Sequence, residues 1–137
     1  MRRTFFMKTA FVLVAMIACA AWCTSLYAEE PAKVTRKVLL KRDTTIPEKE
    51  VILVAVVIQP GAEEGRHTHP AELYVVVQEG AIVLECEGKE DMTFKAGDAF
   101  SVAPGKIHNA KNNGTIAAKL TAFFVAEKGK PLSSPAK

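Results

Sequence analysis

Cysteine, histidine and helical periodicity are all scarce in this chain, and each scarcity narrows what it can be. Of its three cysteines, Cys19 and Cys23 fall in an apolar N-terminal run, so Cys86 stands alone in the remainder. One cysteine cannot close an internal disulfide. Cys86 reads as a small, half-buried strand residue, with a reactive thiol or an intermolecular bridge as the alternatives. Beyond residue 28 no window carries about 10 to 12 residues of 3.6-residue periodicity between breakers, which argues against helices. Internal repeats and low-complexity segments are missing as well.

The first 28 residues differ from the rest. Arg2, Arg3 and Lys8 form a basic start, residues 9–21 are uncharged and apolar, and Leu26-Tyr27-Ala28 ends in a small residue ahead of Glu29-Glu30-Pro31. This is the pattern of a cleaved secretory signal over residues 1–28, which makes the expected location secreted or periplasmic. A transmembrane anchor is the competing reading, but the run is short against the roughly 20 apolar residues a span needs. Met16-Ile17-Ala18-Cys19 loosely matches a lipoprotein cleavage box, so lipid anchoring at Cys19 is a second alternative. No other stretch predicts a membrane span.

Charge of one sign is also lacking once the leader is set aside. The whole chain has 18 basic and 15 acidic residues, and three of the basic ones belong to the leader. The remainder holds 15 of each. The sequence pI near 8.8 is therefore largely a property of the leader, and no nucleic-acid or anionic-membrane partner is expected.

What remains is a succession of short apolar runs separated by turn signals. Residues 38–40 come first, followed by a connection containing Pro47. Residues 51–58 form a β-branched run, apolar throughout, as expected of a strand buried on both sides. Further runs lie at 73–77, 81–86, 92–95, 99–102, 107–111 and 116–125, with turns such as Gln78-Glu79-Gly80 and Asn112-Asn113-Gly114 between them. Strands at this spacing predict an all-β fold, a small antiparallel jelly-roll barrel. The expected layout is an N-terminal tail and edge strand over 29–50, a barrel core over 51–126 and a flexible polar tail over 127–137.

The chain's three histidines, His67, His69 and His108, concentrate in two turn-framed stretches. His67 and His69 precede a strong strand, and a period of two puts them on one face. Glu72 follows closely. His108 comes after the Pro104-Gly105 turn. Alternate residues of barrel strands face inward, so such a fold can bring the three together. Neutral imidazoles, with or without one carboxylate, suit a divalent transition metal rather than calcium or magnesium. The candidate ligands are His67, His69, Glu72 and His108.

These stretches resemble the two motifs of the cupins, in particular the small single-domain kind. The first motif reads G-x5-H-x-H-x(3,4)-E-x6-G, matched here by Gly61, His67, His69 and Gly80. The second reads G-x5-P-x-G-x2-H-x3-N, matched by Gly97, Gly105, His108 and Asn112. Pro104 stands one place later than the motif's proline. Glu72 follows His69 after two residues instead of three or four. On an unbroken strand its parity turns it away from the histidines, and a bulge or bend at Pro70-Ala71 restores it. The resemblance implies a site of three histidines and one glutamate, or of three histidines with water. It implies iron, manganese or nickel ahead of zinc or copper, and dioxygenase-type chemistry on a small organic molecule with Glu72 as ligand or proton carrier. A non-catalytic metal- or ligand-binding module is the alternative. It also implies a homodimer, for which residues 34–42 offer an edge strand. Asn112 is either a hydrogen-bond donor behind the site or a turn residue.

Overall fold

The computed structural model describes residues 33–137. The expected signal segment lies outside them. Among the described residues there are ten strands and no α-helix. They are β1 (Val34–Asp43), β2 (Lys49–Ile58), β3 (His67–Thr68), β4 (Glu72–Glu79), β5 (Ala81–Cys86), β6 (Met92–Lys95), β7 (Ala99–Val102), β8 (His108–Lys111), β9 (Ala118–Glu127) and β10 (Ser134–Pro135). Two five-stranded sheets face each other, ordered β1-β2-β9-β4-β7 and β10-β3-β8-β5-β6. Every named strand pair is antiparallel. This is an all-β jelly roll.

The core follows from side-chain alternation. Ile52, Val54, Val56 and Ile58 of β2 point inward, as do Leu73, Val75 and Val77 of β4, Ile82 and Leu84 of β5, and Leu120 and Phe124 of β9. Each such side chain contributes about 1.5–3 kcal/mol when fully buried. The outward residues of β2 are only half-buried. The strand expected to be covered on both sides is therefore covered fully on one. Alanines at inward positions, among them Ala110 and Ala122, leave room between the sheets, and a cavity of about 100 Å³ opens there.

Two features fix the relation between the histidine-bearing stretches. Asn112 is fully buried; its amide donates to the Ile58 and Ile116 carbonyls at 2.8 Å each and accepts from the Gly114 N–H at 2.9 Å. Its backbone exchanges bonds with Gly61 and Ala62. The end of the second motif is thus tied to the start of the first, and Asn112 acts as a turn lock. Gly80 is irreplaceable for a different reason: its φ is +73°, and a Cβ there would sit 2.9 Å from the Ala117 carbonyl oxygen.

The C-terminal tail departs from expectation. Far from fraying, Ser134 and Pro135 pair with Thr68 and His67, and the Ala136 N–H donates to the Arg66 carbonyl at 3.0 Å. The polar composition of 127–137 hides one apolar residue, Leu132, which packs against the core. A two-residue pairing leaves no periodicity to read.

Candidate metal centre

β3 and β8 are neighbours, and their register sets His67 opposite His108. His69 lies two residues beyond His67, just past the end of β3. All three imidazoles are buried. Their ring centroids lie 4.3 to 5.1 Å apart, and one nitrogen from each falls within 4.8 Å of the others. Phe124 meets the His69 ring edge-on at 4.9 Å and limits its rotation.

The decisive feature is what the other ring nitrogens do. His67 Nδ1 donates to the Gly65 carbonyl at 2.7 Å, His69 Nδ1 to the Leu132 carbonyl at 2.6 Å, and His108 Nδ1 to the Lys106 carbonyl at 3.0 Å. A carbonyl oxygen only accepts, so each Nδ1 carries the proton. In a neutral ring Nε2 is then a bare lone pair. His67 Nε2 and His69 Nε2 face each other at 3.1 Å. Two lone pairs at that distance repel unless a cation, a metal ion or a proton, lies between them. Backbone carbonyls fixing the tautomer behind imidazole ligands are the usual support of a metal site. The donor set therefore fits a divalent transition ion.

Burial pushes the His69 imidazole down to about 4; its bond to the Leu132 carbonyl opposes this, and neighbouring His67, His108 and Arg36 push the same way as burial. Burial also lowers His108, against the pull of the Lys106 carbonyl. Both rings are thereby kept neutral, the form a metal requires.

Glu72 is not brought to this cluster. The chain does bend at Pro70 and Ala71, but the bend carries it from one sheet to the other. Parity on β4 is then set by Leu73, which is buried, and Glu72 lies exposed on the outer face beside Val125. The expectation that a bend would turn this carboxylate inward is corrected on that ground.

Four residues that carried no signal in the sequence hold or border the centre. Leu132 supplies the carbonyl behind His69. Asn109, buried beside His108, accepts from the Gly65 N–H at 3.0 Å and donates to Glu63 at 2.8 Å and Glu85 at 3.2 Å. It thereby steadies Gly65, the residue whose carbonyl holds His67. Arg36 and Glu64 line the inner cavity with His69 and His108. Asn109 and Glu64 sit inside the motif spacings at positions those motifs leave unspecified. Cys86, opposite His108 in the β5–β8 ladder, is a free, half-buried thiol on the wall of an outer cleft of about 450 Å³.

Comparison with known proteins agrees with this architecture. The sequence model of the cupin domain matches residues 54–125. No curated protein matches the chain. Among solved structures, an uncharacterized protein with a double-stranded beta-helix domain from Klebsiella pneumoniae superposes with a TM-score of 0.65 at 21% identity, over 78% of this chain and 87% of its own. A recombinant oxalate oxidase in complex with glycolate gives 0.63 at 20% identity, over 77% and 56%. A structure of DMSP lyases gives 0.57 at 16%, over 64% and 44%.

Proposed function

Since the chain belongs to the cupin family, we propose that it binds one divalent transition metal through Nε2 of His67, His69 and His108 and acts as a metalloenzyme on a small organic molecule. The observation that carries this reading is the set of three Nδ1–H groups committed to carbonyls, which leaves three bare Nε2 donors converging in a buried site. Iron, manganese or nickel is favoured over zinc or copper, in keeping with the family resemblance. A bound ion supplies Lewis acidity toward oxygen ligands and, for iron or manganese, redox chemistry with dioxygen.

The chain's own residues do the rest. The imidazoles hold positions fixed from behind by Gly65, Leu132 and Lys106. The apolar walls of the inner cavity exclude bulk water and strengthen electrostatic contacts inside it. A cavity of about 100 Å³ holds about three water-sized positions, which favours thiols and small acids as substrates over ligands as large as flavonols. The signal-like pattern of residues 1–28 supports a secreted or periplasmic location for this activity. A homodimer through the exposed edge of β1 completes the reading.

The test is elemental analysis and equilibrium metal titration of the purified chain. One ion per chain is expected, with H67A, H69A and H108A each losing at least about 100-fold in affinity and E72A unchanged. Full loading of the histidine variants refutes the site. Oxygen uptake with a panel of thiols and small acids then separates enzyme from binding module: stabilisation by a panel member without turnover favours the module.

A further inference from the structure

We propose that the inner cavity takes a small carboxylate, held at its charged end by Arg36 of β1. The inference rests on the metal reading above and adds the ligand's charge, size and anchoring residue.

Size comes first. Val54, Val75, Phe100, Leu120 and Phe124 form apolar walls around about 100 Å³, with His69 and His108 on one side. Three water-sized positions admit a body of roughly three to five non-hydrogen atoms. A body that small has little apolar area to bury, and even the best tiny ligands gain only about 1.5 kcal/mol per atom. Useful affinity in such a space needs a charged handle.

The sign of the handle follows from the charges that face it. Among the described residues, Arg36 and Glu64 are the only acidic or Lys/Arg side chains lining the cavity. They pair with each other, Nη2 to Oε1 at 2.7 Å, and so nearly cancel. The three imidazoles are neutral ligands. Glu72 points out to solvent on the opposite face of its strand. Among the described residues, no side chain lining the cavity then compensates the two positive charges of a bound ion, and a cationic ligand would be repelled while an anion is attracted.

Arg36 has the geometry to receive that anion. A guanidinium carries five N–H donors in a planar fork, and only Nη2 is committed to Glu64. Glu64 is nearly buried, at 12% side-chain exposure, whereas Arg36 is 49% exposed. The carboxylate therefore anchors an arginine that lines the cavity and is half open to solvent, and its remaining donors suit bidentate contact with an incoming carboxylate. Arg36 reaches the cavity from an edge strand whose side chains are otherwise mostly exposed, which gives this strand a role in ligand selection.

The experiment compares propionate, propionamide and octanoate on the zinc-loaded full chain by isothermal titration, in wild type, R36Q and R36K. Zinc affinity is measured first. The expected result is zinc binding in all three proteins, in R36Q no weaker than in wild type because Glu64 loses the charge that balanced it, and propionate binding in wild type. Propionamide and octanoate bind at least about tenfold more weakly. R36Q loses about tenfold or more for propionate, and R36K, which keeps the charge but not the fork, falls between. Wild type that binds no zinc refutes the metal reading. Zinc binding intact with propionate affinity unchanged in R36Q refutes the Arg36 assignment. Octanoate binding as tightly as propionate refutes the cavity as the ligand's seat.

Discussion

Removing residues 131–137 should weaken metal binding by about 10- to 100-fold while the barrel stays folded. The segment supplies the carbonyl of Leu132, 2.6 Å from His69 Nδ1, and the β10 pairing that flanks His67. Without that carbonyl the His69 ring is free to move its proton to Nε2. From there it can donate to His67 Nε2, only 3.1 Å away. Repulsion between two lone pairs becomes a hydrogen bond, and the metal-free state gains what the metal must then break. A loss of 10- to 100-fold corresponds to about 1.4–2.7 kcal/mol. The fold itself loses less: Leu132 is only partly buried, worth about 1 kcal/mol against a typical domain stability of about 5–15 kcal/mol. The assay is competitive zinc titration of full-length and truncated chains, with urea unfolding to show that both are folded. Leu132→Ala is the discriminating control, because it deletes the side chain and keeps the carbonyl; its zinc affinity should stay within about threefold of wild type. A truncated chain that binds zinc as well as the full one refutes the reasoning. So does a Leu132→Ala variant that loses as much as the truncation, since packing and not the carbonyl would then be at work.

Two further outcomes follow from buried polar groups. Asn112→Ala leaves the buried Ile58 carbonyl and the part-buried Ile116 carbonyl and Gly114 N–H without their partner, at about 1–3 kcal/mol for the buried group and less for the two that water can reach; a total loss of about 2–5 kcal/mol is expected by urea titration, and a loss under about 1 kcal/mol would show that water replaces the amide. The metal-free protein should lose stability as pH falls from 6.5 toward about 4, because His69 protonates in the unfolded chain well before it does in the folded one. The slope vanishes above 6.5, where both states are neutral; melting temperatures across pH 4–8 read it, and His69→Gln should reduce it, leaving the part that comes from His108, which burial also lowers.

Most of the fold was legible because the physics of alternation is local. The runs at 81–86, 92–95 and 99–102 coincide with β5, β6 and β7, and turn glycines mark several of the breaks between strands. What escaped was non-local. β3 and β10 are two residues each, too short to show a period, and they form only because distant segments meet. The buried alternation in β2 was unreadable from sequence, since both of its faces are apolar and only the partner sheet decides which one is covered.

The site divides along the same line. Histidines are rare here, so their type and spacing announced them, and the pairing of His67 with His108 needed only the barrel to make it real. Glu72 shows the limit of spacing arguments. A bend was the right thing to look for at Pro70, and it is present. Yet a bend between two sheets resets parity according to which neighbour is buried, and Leu73 outcompetes a carboxylate for the interior because burying an unpaired charge is far more costly than exposing a leucine. The groups that actually complete the site are carbonyls of Gly65, Lys106 and Leu132. Every residue has a carbonyl, so no residue type reports them. Their positions are set by the turns before His67 and His108 and by a tail docking from 63 residues away. A metal site of neutral imidazoles is thus announced by its ligands in the sequence and armed by its backbone in the fold.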